Sequence, residues 1–238
     1  MKRIIASIFV LAATAGLWGG YAQQPYFTTE EMPDLIKCLP APPKKGSAAF
    51  RNDKERYKWG KRQRKDPARA EMARIDAAWS FDTLLMVFSE PFGMELSKEK
   101  TPEVWTLIAR SLTTTDQIRF APKAYYQRTR PFAYFKDEAF LAVDAPLKSE
   151  GSYPSGHTLR SWTCALILSE VNPAAAEAIF TRAWECGQSR VISGAHWQSD
   201  VDITRMAAGI GYARLQTSGE FRKQMELAKK EIERIRKI

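Results

Sequence analysis

Only two histidines occur in the 238 residues of this chain, and each stands in a stretch suited to handling an anion. His157 follows Pro154, Ser155 and Gly156 in GSYPSGHT, directly ahead of a run that reads as a helix. A helix start leaves backbone N–H groups unpaired and carries the positive end of the helix dipole, so it attracts negative charge. Gly156 has no Cβ to block a close approach, and Ser155 adds a hydroxyl donor. His196, in SRVISGAHWQSD, has Asp200 four residues further on. A carboxylate that holds one imidazole N–H leaves the opposite nitrogen pointing outward with its lone pair, which makes it a nucleophile. Taken alone, His-x-x-x-Asp is equally the pattern of a buried histidine satisfied by a neighbouring acid.

Cations accompany both histidines. Lys123 and Arg130 lie seven residues apart in KAYYQRTRP, a spacing that predicts two helical turns with both charges on one face before Pro131 ends the element. Arg190 precedes His196 in the same short segment. Three cations, a Ser-Gly helix start, two imidazoles and a carboxylate from three parts of the chain are the groups a phosphoryl transfer needs. The cations and N–H groups hold the oxygens that stay on phosphorus, one imidazole attacks, and the other handles the proton of the leaving group.

These segments, Lys123-x6-Arg130-Pro131, Pro154-Ser155-Gly156-His157 and Ser189-Arg190-x5-His196-x3-Asp200, resemble the three-part signature of the type 2 phosphatidic acid phosphatase superfamily. GSYPSGHT followed by GAHWQSDVD is similar in particular to the bacterial class A nonspecific acid phosphatases. The likeness runs from about Lys123 to Arg205. It implies an all-α, single-domain helical bundle of the kind shared with haloperoxidases, and a metal-independent phosphomonoesterase of broad specificity acting through a phosphohistidine. His196 would be the nucleophile, Asp200 its tautomer-fixing partner and His157 the acid and base. Lys123, Arg130, Ser155, Gly156 and Arg190 would bind the phosphate. The two histidines must start turnover in different protonation states, so their surroundings are expected to separate them. Two features depart from the usual pattern: Ser193 stands where several relatives have cysteine, and Ile203-Thr204 where small residues are common, neither at a proposed catalytic group. Other chemistries for such a site are lipid phosphate hydrolysis, vanadate-dependent halide oxidation and, without catalysis, simple anion binding.

The elements that must position these groups are helical. Asp66-Pro67 reads as an N-cap with proline at the first helical position, opening a single helix through ARAEMARIDAAWSFDTLLMVFSE with Met72, Ile75, Trp79, Leu84 and Phe88 as core. Thr101-Pro102-Glu103 opens another in the same way. Asn172-Pro173 and Ser199-Asp200 start two more, and Thr217 to Glu220 has capping-box spacing before the last. No alternating strand pattern or internal repeat appears. The expected organisation is an export signal over residues 1–22, an irregular arm over 23–66 and a helical domain over 67–238.

Met1-Lys2-Arg3, an apolar run and the small residues before Gln23 predict cleavage after Ala22 and a periplasmic location; the run is short for a membrane anchor and is interrupted by Gly and Thr. With 45% hydrophobic and 26% charged residues, the rest can bury a core and offers no later membrane span. A formal net charge of +9 favours anionic partners, here small phosphorylated substrates. The basic run from Asp53 to Arg69 is interspersed with acids and leads into a helix, which reads as a solvated face and not as a nucleic-acid surface. Cys38, Cys164 and Cys186 lack zinc-type spacing, and with two histidines no metal or other cofactor is expected. Cys164 and Cys186 flank the motif segments and can be read as a disulfide or as two buried thiols. A homodimer is suggested only by the resemblance.

Overall fold

A computed structural model describes residues 23–78 and 80–237. The expected export signal and Trp79 lie outside the described residues. The helices in chain order are α1 (Leu35–Cys38), α2 (Ala48–Gln63), α3 (Pro67–Asp76), α4 (Phe81–Phe92), α5 (Pro102–Thr115), α6 (Phe120–Tyr126), α7 (Pro131–Tyr134), α8 (Gly156–Val171), α9 (Ala176–Ile192), α10 (Gln198–Leu215) and α11 (Gly219–Ile235). Shorter 3₁₀ stretches cover Asp116–Arg119, Ala142–Ser149 and Pro173–Ala175. No strand occurs among the described residues, so the all-α expectation holds.

The bundle is arranged around α8. Its buried residues run around the whole circumference, from Thr158, Leu159 and Arg160 to Ile167 and Leu168, the pattern of a helix enclosed by others and not of one lying on a surface. Helices α5, α9, α10 and α11 pack on it. The main core joins Phe81, Leu85, Phe88 and Phe92 of α4 to Leu107 and Ile108 of α5, Ile167 and Leu168 of α8, and Phe221 and Met225 of α11. Helix α11 buries Phe221, Met225, Ala228 and Ile232, a stripe at helical spacing, while its lysines and arginines are exposed except Lys229, which is half-buried against Glu170 of α8.

Local capping explains most boundaries. Asp66 accepts from the N–H groups of Ala68 and Arg69 with Pro67 behind it, as its sequence implies. The long helix expected from there is two. Helix α3 ends at Asp76, and Ser80 starts α4 by accepting from Thr83 N–H. The apolar period continues across the break, so the periodic pattern hides it. The Thr101 side chain makes no cap; the Glu231 carboxylate of α11 instead accepts from Glu103 and Val104 N–H at 3.1 Å, placing negative charge at the positive end of α5. Ser218, one residue after the expected position, caps α11.

The arm is less irregular than its Pro-rich start implies, since residues 48–63 form α2 behind the Ser47 cap. Nor is its basic run only a solvated face. Arg56 donates to Gln188 and Gln198, Arg64 to the Ile192 carbonyl, and Lys61 pairs with Asp137. Helices α2 and α9 touch at Gly60, where a Cβ would sit 2.7 Å from the Val191 carbonyl oxygen. Backbone cannot yield there as a side chain can. Gly60→Ala is therefore expected to lower the unfolding free energy by about 1–3 kcal/mol in a urea titration, and an unchanged midpoint would show that the helices can separate without cost.

Candidate functional site

Helices α6 and α8, the 3₁₀ stretch Ala142–Ser149 and the loops before α7, α8 and α10 meet at a cavity of about 360 Å³. Lys123, Arg130, Gly156, His157 and His196 all line it, so the three motif segments do converge. The route for Lys123 and Arg130 differs from the expected continuous helix. Helix α6 stops at Tyr126 with Gln127 in the left-handed conformation at φ 45°, and Arg130 stands in extended backbone as the N-cap of α7. The seven-residue spacing delivers two cations to one cavity through a turn and an extended segment.

Each cation rests on backbone carbonyls of the loop before α8. Lys123 Nζ donates to the Gly151 carbonyl at 2.7 Å, and Arg130 Nε to those of Leu147 at 2.9 Å and Glu150 at 3.2 Å. Gly151 is required for this approach, because a Cβ there would lie 2.5 Å from the Lys123 carbonyl oxygen. Arg190 is fully buried and pairs with Asp144, which lines the cavity. Burial and the Arg130 and Arg119 charges push Lys123 well below the usual lysine range. Burial, with Arg190 beside it, brings Arg130 down to about 10. Positive charge is thus crowded where solvent is scarce, and a bound anion would relieve it.

His196 is reached through the turn after α9, where Gly194 takes φ +78° and where a Cβ would lie 2.8 Å from both Tyr57 and Arg64 atoms. The His196 Nδ1 lies 2.7 Å from the Ser152 carbonyl oxygen, while the nearest Asp200 oxygen is 3.7 Å away. A carbonyl can only accept, so Nδ1 carries the proton and Nε2 the lone pair; Arg130 Nη1 donates to that Nε2 across 3.2 Å. The tautomer is the one expected, but Ser152 fixes it and not Asp200. Asp200 accepts from Trp197 N–H at 2.9 Å, closing the first turn of α10, and is ion-paired with Arg128. Arg128 also holds Asp53 of α2 at 2.7 Å, so a buried acid–arginine–acid chain fixes the loop that carries His196.

His157 lies in the first turn of α8 and donates from Nε2 to the Ala77 carbonyl across 3.2 Å. That carbonyl is available because α3 ends there, which gives the unforeseen helix break a role in the site. Ser155 is the N-cap of α8, accepting from Thr158 N–H at 3.3 Å and from the Thr158 hydroxyl at 3.0 Å. It is fully buried, and Gly156 is the member of that pair on the cavity wall. Thr204, one of the residues departing from the usual pattern, is not remote. Its hydroxyl accepts from Ser155 N–H at 2.9 Å and donates to the Asp200 carbonyl.

Sequence reasoning missed Ser152, Asp144, Arg119, Arg128 and Asp53. Asp53 alone carried a signal, lying with Tyr57 and Gly60 on the buried face of α2. The surroundings move the two histidines in the same direction. Burial depresses both well below the ordinary histidine value, reinforced by Arg190 and Arg160 at His157 and by Arg130 and Lys123 at His196. All three cysteines are free, Cys38 exposed and the other two buried, and burial raises Cys164 and Cys186.

A PAP2 superfamily profile matches residues 104–222, a span that contains every motif residue named above. The chain is 40% identical to a non-specific acid phosphatase of Salmonella typhimurium over 98% of its own length and 93% of the relative's. It is 38% identical to a non-specific acid phosphatase of Providencia stuartii, covering 89% and 86% of the two chains. An acid phosphatase of Zymomonas mobilis is 33% identical over 99% and 93%.

Depressed histidines have a consequence for stability. The unfolded chain protonates them near pH ~6.5 while the folded protein resists, so the stability present above that pH is lost as pH falls below it. Urea midpoints measured without phosphate are expected to drop between about pH 7 and pH 5, and inorganic phosphate to recover part of the loss. A midpoint that rose on acidification in phosphate-free buffer would contradict the directions given for His157 and His196.

Proposed function

Because this chain belongs to the PAP2 superfamily, we propose that it is an exported acid phosphatase that hydrolyses small phosphate monoesters through a phosphohistidine at His196. One observation carries this reading. A neutral imidazole, with Nδ1–H given to a backbone carbonyl, turns its Nε2 lone pair toward an arginine at the edge of a cation-lined cavity. A phosphate on Arg130 and Lys123 would lie within reach of that nitrogen. Export is supported by the basic start and apolar run of residues 1–22, and no described helix is long and apolar enough to cross a membrane.

The reaction proceeds as two displacements. Nε2 of His196 attacks phosphorus, the bond from phosphorus to the ester oxygen breaks, and His157 gives its proton to that oxygen. Water then attacks phosphorus from the vacated side and gives a proton back to His157, while the phosphorus–nitrogen bond breaks and inorganic phosphate departs. Throughout, Lys123, Arg130, Arg190 and the first N–H groups of α8 hold the oxygens that remain on phosphorus. Most of the rate comes from charge already in place before the substrate arrives. Asp200 acts at one remove, by keeping the His196 loop docked through Arg128. The substrate supplies what the protein alone does not. Its negative charge opposes the depression of His157 by Arg190 and Arg160 and lets that residue enter turnover protonated.

Hydrolysis of p-nitrophenyl phosphate in the presence of chelator tests the assignment. His196→Ala is expected to lower kcat by about 10⁴-fold or more. His157→Ala is expected to cost ~10²–10⁴-fold on an alkyl phosphate and less on the nitrophenyl ester, whose leaving group needs little protonation. Full activity in His196→Ala, or an equal loss on both esters in the single-turnover rate of leaving-group release by His157→Ala, would refute the roles given.

A further inference from the structure

Asp144 has no place in the reaction just described, yet it is the acid set deepest among the cations of the cavity. It sits in the 3₁₀ stretch Ala142–Ser149, whose neighbouring Val143 is exposed while Asp144 is 1% exposed and lines the cavity wall. One of its oxygens, Oδ1, is ion-paired with Arg190 Nη2. The other, Oδ2, is buried without a partner, and so are Nε and Nη1 of Arg190. Buried polar atoms are seldom left unpaired, and three in one ion pair is the arrangement of a site that a ligand completes.

The ligand must bring opposite groups to the two halves. A carboxylate only accepts and a guanidinium only donates, so the missing partners are an O–H for Asp144 Oδ2 and unprotonated oxygens for Arg190. A phosphate carrying one proton offers both on a single tetrahedron. Sulfate and phosphodiester anions have no O–H, and against them Asp144 presents bare negative charge. The charged groups around it are Arg190 of α9, Arg130, Arg64 just after α2, and on the cavity wall Arg119, Lys123, His157 and the half-exposed Glu150.

We infer that Asp144 is the specificity-determining residue of the site, its Oδ2 accepting the hydrogen of a protonated phosphate oxygen, so that the cavity selects oxyanions that carry a proton over those that do not. This inference rests on the reading of the cavity as a phosphate site. It assigns Asp144 no step in bond cleavage. Its role is to make monoesters and inorganic phosphate the ligands and to turn away sulfate and phosphodiesters, which lack the hydrogen.

Calorimetric titration of the mature chain with inorganic phosphate and with sulfate, at about pH 5 and constant ionic strength, tests it apart from catalysis. The wild type is expected to bind phosphate more tightly than sulfate by roughly 100-fold or more. In Asp144→Asn, whose amide can donate, the gap is expected to close to within ~10-fold through tighter sulfate binding. Should that variant fail to keep the wild-type near-ultraviolet circular dichroism, Asp144→Ser is measured in its place with the same expectation. Equal binding of the two anions by the wild type, or a gap unchanged in the folded variant, would overturn the inference. So would loss of phosphate binding with no gain for sulfate, since that outcome assigns Asp144 only to holding Arg190. Binding of neither anion by the wild type would overturn the phosphate site itself, whereas discrimination without ester hydrolysis would leave the inference standing and remove the proposed catalysis.

Discussion

Like charges confined near one another with little water repel strongly, and the cavity exists because the loop from Leu147 to Ser152 answers that repulsion with oxygen atoms. The Leu147 and Glu150 carbonyls take Arg130, the Gly151 carbonyl takes Lys123, and the next carbonyl, that of Ser152, takes the His196 N–H. These dipoles attract the cations without neutralising them, so the charge stays available to a ligand. A set of carboxylates in the same positions would bind the cations more firmly and leave nothing for an anion. The depressed lysine, arginine and histidines are signs of the remaining imbalance, which the folded protein carries as a preorganised field.

That loop keeps its course because the helices around it are fixed independently of the site. Helix α8 is enclosed by its neighbours, which sets where its first turn and His157 stand. The α10 end is set by a different device. Asp53, Arg128 and Asp200 form a buried chain from α2 to the first turn of α10, and breaking such a chain leaves an uncompensated charge inside. The arm before the motif region is thereby part of the machinery that aims His196, although none of its residues is needed for the chemistry. Thr204 joins the two sides, bonding to Ser155 at the start of α8 and to Asp200 of α10.

Much of this was legible in the sequence wherever the cause is local. Asp66 caps its helix through atoms two or three residues away, and such a cap can be seen in the letters, as can the start of α11 to within one residue of Ser218. The histidines, Lys123, Arg130 and Gly156 were legible because their types and order restrict the chemistry so narrowly. What stayed hidden was set by distant partners. The break between α3 and α4 interrupts a continuous apolar period, and the α5 cap comes from Glu231 well over a hundred residues later. Lys123 and Arg130 reach one cavity for a reason other than the helical spacing that predicted it. Asp144 lies in a stretch with no period and no motif, and nothing in its neighbours announces that it faces Arg190. The Ser152 carbonyl is a backbone atom, and side-chain reasoning turned to Asp200 instead.

The central claim is that phosphorus passes through a covalent bond to His196 Nε2, and stereochemistry reports on it directly. A phosphate monoester made chiral at phosphorus with oxygen isotopes, its phosphoryl group moved to an added alcohol acceptor, records each in-line displacement as one inversion. Two displacements through the imidazole predict net retention of configuration. Net inversion would mean that the acceptor attacks the substrate directly, and the account of His196 as nucleophile would be wrong.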